Sequence, residues 1–195
     1  MSRRVRTLLL PVLAALLLGG CGATDDRALA DGALADAVAA HRNGDLGSAA
    51  RGYHETLQHD PTNVYAFYGL ALVASGEGDT SRAEHLYVVA LGQDPTYVPA
   101  LMNLGLILTE TGRVEEAIAR YRDAATYAPN LAAVHFRLGV LLGGLGRDEE
   151  AATSLSTAKT LDLTIDETRA FIPSGPLAEG SAVTPAPFSS ASPAP

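Results

Sequence analysis

One thiol, five imidazoles and 22 carboxylates are the groups in this sequence of 195 residues whose types could carry chemistry. Catalysis or metal binding needs several of them to converge, and spacing is the first test. His41, His54, His59, His85 and His135 include no pair at the i, i+4 separation that would set two imidazoles on one helical face. His54 and His59 are five apart, which splays them to different faces. The sequence has no G-x-S-x-G, no H-E-x-x-H and no phosphate-cradling G-x-x-x-x-G-K, since the single lysine, Lys159, follows Ala158. One cysteine leaves no partner for an internal disulfide and no Cys-rich zinc site. A formal charge of -8 lacks the clustered cations that neutralise phosphates, so nucleic acid is not an expected partner. No enzyme, metal or cofactor is expected. The thiol of Cys21 is the one group whose position asks for an explanation.

Cys21 follows a positively charged start, Arg3, Arg4 and Arg6, and an uncharged Leu-rich run from Thr7 to Leu18 interrupted by Pro11. That run of 12 residues is short for a bilayer span, which needs ~20, and reads as the apolar region of a secretory signal. Leu18-Gly19-Gly20-Cys21 resembles the lipobox of bacterial lipoproteins, in which the cysteine is lipidated and becomes the new N-terminus. Ser2-Arg3-Arg4 is similar to a twin-arginine export signal, but Arg6 stands where that pattern has a bulky apolar residue. The lipoprotein resemblance implies a signal peptide at 1–20, a tether at 21–29 and acyl chains on Cys21, each buried methylene contributing ~0.8 kcal/mol to the anchor. It places the protein outside the cytoplasm. Gly22 resembles the residue after the cysteine in lipoproteins sorted to the periplasmic face of the outer membrane; in a single-membrane cell the site is the outer face of the cytoplasmic membrane. Loss of the three signal arginines leaves 11 basic residues against 22 acidic, a formal charge of -11. Such a body is repelled by an anionic bilayer.

The elements that follow are set by a period. Pro61, Pro95 and Pro129 are 34 residues apart, and the same spacing aligns Ala37, Ala71, Gly105 and Gly139, then Gly44, Gly78, Gly112 and Gly146. Ala49, Ala83, Ala117 and Ala151 follow, then Tyr53, Tyr87, Tyr121 and Leu155, then Thr56, Ala90, Ala124 and Ala158. An apolar fraction of 47% with few aromatics fits Ala/Leu-rich helices better than sheets. Small residues let paired helices approach closely, the large residue fills the space beside them, and the conserved spacing of Gly44 and its equivalents places a left-handed turn at the end of each first helix. Asp60-Pro61 and Asp94-Pro95 stop the second helices. Glu115, Glu116, Asp148, Glu149 and Glu150 fall at the starts of second helices, where they complement the helix dipole rather than form a carboxylate site.

This period and these residues resemble the tetratricopeptide repeat over residues 30–165. The resemblance implies an all-α, right-handed α-solenoid of four helix-turn-helix units, 30–63, 64–97, 98–131 and 132–165. The first unit carries Ala33 and Asp36 where the next two carry Phe67, Leu70, Leu101 and Leu104, which suits a solvated end. At the other end, Thr164-Ile165-Asp166-Glu167 reads as a capping box opening a short capping helix at 166–172, with Phe171 and Ile172 packing on the fourth unit before Pro173. Residues 173–195 hold six prolines, five serines and five alanines with Glu179 the only charge, a composition expected to be disordered.

In tetratricopeptide stacks the first helices line a concave groove that holds peptides or helices of partner proteins. Counted within each unit, the groove positions are Leu34 and Val38, then Tyr65, Tyr68 and Leu72, then Met102, Asn103 and Leu106, then Phe136, Arg137 and Val140. Tyr65, Tyr68, Met102 and Phe136 come early in their helices and are expected to be exposed; Leu72, Leu106 and Val140 have i, i+4 spacing equally suited to core. A two-carboxylate clamp of the kind some family members use is matched at Asn103 and Arg137 and missed at Tyr68, Leu72 and Ala133. An apolar floor of this kind marks an interaction site for an apolar or amphipathic segment. The expected function is a membrane-anchored adaptor in assembly of envelope machinery such as a pilus, secretion or cell-wall complex; the alternative is a carrier of an apolar small molecule or lipid.

Overall fold

The structure, a computed structural model, describes residues 9–166, with side chains from residue 25 onward. Among the described residues there are eight helices and no strand: α1 (Leu9–Arg42), α2 (Leu46–His59), α3 (Val64–Gly76), α4 (Thr80–Gln93), α5 (Val98–Glu110), α6 (Val114–Tyr127), α7 (Ala132–Gly144) and α8 (Asp148–Leu161). From α3 onward, first helices begin 34 residues apart, at Val64, Val98 and Ala132. Each packs on the second helix of its own unit and on that of the unit before, which makes the array a solenoid. α1 runs unbroken through Cys21 and the 21–29 segment. The 166–172 capping helix lies, after Asp166, outside the described residues, as does the tail at 173–195. No helix of the described residues is long and apolar enough to cross a membrane.

The turns follow from local backbone physics. Gly44, Gly78, Gly112 and Gly146 take φ of +78°, +80°, +77° and +72°, the left-handed region that costs other residues dearly. The next residue then donates its N–H back to the helix, as in Asp45 to the Ala40 carbonyl at 3.0 Å and Arg147 to the Leu142 carbonyl at 2.9 Å. α2 and α4 open on aspartates, with Asp45 accepting from Ser48 N and Asp79 from Arg82 N. α6 and α8 lack such a cap; Arg113 and Arg147 precede them and clasp Glu116 and Glu150 in the first turn.

The core is a column of small residues and tyrosines. Ala49, Ala83 and Ala117 are fully buried, and Tyr53, Tyr87 and Tyr121 retain 3%, 1% and 1% of their surface. Leu155, at the same place in the last unit, is 37% exposed. Close approach between units is visible at Gly69, where a β-carbon would overlap the Tyr53 ring.

Candidate functional site

The first helices present the residues expected to form the groove, but not on one accessible floor. Tyr68, Leu72, Met102 and Asn103 keep 6%, 3%, 2% and 3% of their surface, and Leu34 is also buried. Val38, Tyr65, Leu106, Phe136 and Arg137 are half-buried, and Val140 is 45% exposed. The expected order of exposure is therefore corrected: Tyr68 and Met102 are core, whereas Val140 is surface. α3 is apolar on every side and buried from Tyr68 to Ala74, as is α5 from Ala100 to Gly105, because each is flanked by a unit on both sides. α7 buries only Val134, Leu138, Gly139 and Leu142, so Phe136, Arg137 and Val140 keep accessible surface.

The second cause is Tyr97, which the groove count omitted. It stands at the start of α5, and its ring meets Tyr65 edge-on at 5.6 Å and Tyr68 at 5.2 Å. Tyr68 also lies 5.7 Å from Tyr87 and accepts a hydrogen bond from Asn103 Nδ2 at 3.1 Å. Asn103 is thus engaged inside the stack, leaving one of the two clamp matches without access to a carboxylate. Its carbonyl oxygen and the Tyr87 hydroxyl are buried without a hydrogen bond of good geometry. Burial pushes the Tyr53 and Tyr87 hydroxyls up to about 12 and raises Tyr68 and Tyr97 as well, which favours the protonated phenol in all four. The periodic place of Tyr97, shared with Asn63 and Leu131, was the available signal for it.

Between α5, α6 and α7 lies a cavity of about 190 Å³ lined by Thr109, Tyr121, Phe136, Arg137, Val140 and Leu141. Three of these were expected groove residues; Thr109, Tyr121 and Leu141 were not. Thr109 donates its hydroxyl to the Gly105 carbonyl at 2.8 Å. The wall is mostly aliphatic and aromatic carbon, which suits an apolar side chain. A larger, open cleft lies between α6, α7 and α8, with Arg122, Glu149 and Glu150 on its polar rim, and Arg122 pairs there with Glu150 at 2.7 Å.

The histidines stay apart. His41 is buried and lies 3.3 Å from the Tyr53 hydroxyl, His59 pairs with Asp26 of α1 at 3.2 Å, and His135 donates to the Pro129 carbonyl at 2.8 Å. Among the described residues no three His, Cys, Asp or Glu side chains converge as a metal site. Cys21 belongs to the part of α1 whose side chains lie outside the described ones.

A family model described as TPR repeat matches residues 105–146, and one described as tetratricopeptide repeat matches 74–122. Among solved structures, MamA shares a TM-score of 0.63 at 19% identity, over 69% of this chain and 78% of that one, a likeness of fold. Pseudomonas aeruginosa pilF gives a TM-score of 0.63 at 25% identity, over 74% of this chain and 64% of that one. A Thermobaculum terrenum O-GlcNAc transferase gives 0.55 at 31% identity over 60% of this chain, but only 22% of the transferase is matched, so its enzyme activity does not carry across. No curated protein matches the chain. With two family models on adjoining units, a 34-residue period and the solenoid neighbours, the helical stack is identified as an array of tetratricopeptide repeats.

Proposed function

We propose that this chain is a membrane-anchored adaptor that holds an apolar or amphipathic segment of a protein partner on its concave side. The observation that carries the reading is the cavity framed by Phe136, Arg137 and Val140 on α7, where expected groove residues keep surface beside an open space. Its volume of about 190 Å³ falls below the ~300 Å³ at which small-molecule pockets begin, so it suits one or two side chains of a peptide rather than an acyl chain or a drug-sized ligand. A non-catalytic role is consistent with scattered histidines and protonated tyrosines. The lipobox-like run before Cys21 supports placing the adaptor in envelope assembly, with a pilus, secretion or cell-wall complex as the machinery.

The anchor in this reading is lipid on Cys21, directly after the apolar signal run. It puts the stack on the periplasmic face of an outer membrane, or on the outer face of the cytoplasmic membrane of a single-membrane cell. Two experiments test the proposal. In-cell crosslinking and pull-down with the full chain should recover a partner that is lost with Phe136→Glu plus Val140→Glu, while far-UV circular dichroism is unchanged. Recovery of the same partners by the folded double variant refutes the groove. Replacing Cys21 with Ser should move the protein out of the membrane fraction, and its persistence there refutes the lipid anchor.

A further inference from the structure

The first unit departs from the others at the place where they begin. Running the period backwards puts Asp26 in register with Asp60, Asp94 and Asp162, and Arg27 with Pro61, Pro95 and Pro129. At Asp60 and Asp94 the carboxylate closes a turn on the threonine two residues ahead. Asp60 accepts from Thr62 N at 3.2 Å and Thr62 Oγ1 at 3.0 Å, and Asp94 from Thr96 N at 2.9 Å and Thr96 Oγ1 at 2.7 Å. In the first unit the threonine is replaced by Ala28 and the proline by Arg27, so neither device that breaks the helix elsewhere is present. α1 accordingly continues, uninterrupted, N-terminal to Ala30, the residue in register with the start of α3. The Asp26 carboxylate reaches across to α2 instead, with Oδ1 3.2 Å from His59 Nδ1 in the last turn of that helix. Beside it the Arg27 guanidinium attracts the carboxylate of Asp60, the C-cap of α2. Both contacts land on the corner where α2 gives way to α3.

We propose that residues 25–29, expected to be a tether, are a helical strap pinned to the α2–α3 corner, which fixes how the stack faces the bilayer. The orienting role rests on the reading of Cys21 as acylated. A free tether would let Ala30 stand up to ~30 Å from Cys21, at ~3.4 Å per extended residue. With Asp26 pinned, only residues 22–25 intervene, and the reach falls to ~17 Å extended or ~8 Å in helix. The α2–α3 corner is held within that reach of the anchor. An exposed ion pair is weak by itself. Most of the order comes from extending a helix that is already nucleated, with Asp25 and Asp26 near its positive end once the signal is removed.

Trypsin reads the strap directly, because Arg27 is the one Arg or Lys between Cys21 and His41. The full chain in its membranes, digested under native conditions, should yield the fragment beginning at Ala28 slowly. Leu29→Pro changes a position that is 53% exposed and breaks the strap while sparing Ala30–Arg42; it should speed the fragment's appearance roughly 10- to 100-fold. His59→Ala and Asp60→Asn should each speed it about 2- to 5-fold. The inference is overturned if the wild type is cut as fast as Leu29→Pro, or if neither His59→Ala nor Asp60→Asn alters the rate. Mass spectrometry of the fragment gives these rates whether or not Cys21 carries lipid. A cut stack that stays in the membrane fraction would count against the anchor instead, and would leave the strap standing.

Discussion

Gly69→Ala is the substitution that most directly tests the packing of the stack. A methyl on α3 at that position falls 2.6 Å from Tyr53 Cε2 and closer still to Cζ and Cε1. Carbon atoms pack at ~3.5 to 4.0 Å, so the ring would have to retreat by about 1 Å. It has little room to do so, since Tyr53 keeps 3% of its surface and its hydroxyl sits 3.3 Å from buried His41. Overpacking of this kind costs ~1 to 3 kcal/mol, with the upper end expected where a rigid ring meets backbone. Helix propensity returns ~1 kcal/mol of that. The net loss is ~2 kcal/mol, a fall in Tm of ~4 to 8 °C for a chain of this size. The control is Gly32→Ala: Gly32 lies inside α1 with nothing within 4 Å of an added β-carbon, so the same chemical change should stabilise by ~0.5 to 1 kcal/mol. Circular dichroism at 222 nm measures both. Hydrogen exchange adds location, because contacts are only between neighbouring units: protection should fall in α2 and α3 and hold in α7 and α8. Equal Tm values for the two variants, or a Gly69→Ala loss that Tyr53→Leu does not relieve, would refute the assigned contact.

Tyr87→Phe should leave Tm unchanged or raise it, because it removes a buried hydroxyl that lacks a well-formed hydrogen bond; a loss above ~1 kcal/mol would show that Ser75 or Asn103 satisfies it. Burial lowers the pKa of His41 from 6.5, so the unfolded chain binds the proton more readily, and stability should fall as pH drops below about 6.5. In His41→Gln that part of the Tm decline between pH 7 and 5 should disappear, and an identical slope in the variant would exclude His41 as its source.

The repeat architecture was legible in the residues because its causes are local. Glycine at the end of each first helix takes positive φ whatever surrounds it, aspartate caps reach three residues ahead, and proline interrupts the ladder where it stands. Those effects repeat every 34 residues, so Gly44, Asp60, Pro61 and their equivalents announce helix pairs and their order without knowledge of any contact between units. The proposed anchor at Cys21 rests likewise on short-range pattern, the apolar run and Leu18-Gly19-Gly20 before it.

Access to the concave face was not legible, because it is a property of how neighbouring helices meet. Helical spacing puts Tyr68, Met102 and Phe136 at one place in their units, yet the first two are core and the third keeps surface. The difference is made by Tyr97 closing over Tyr65 and Tyr68, by Asn103 turning inward to the Tyr68 hydroxyl, and by α7 having a described unit on one side only. Each of these contacts joins residues about 30 apart or more, and burial is decided by all the side chains that reach a point in space. Backbone preference at one residue therefore determined the units of this protein, and packing between units decided which of its side chains a partner can touch.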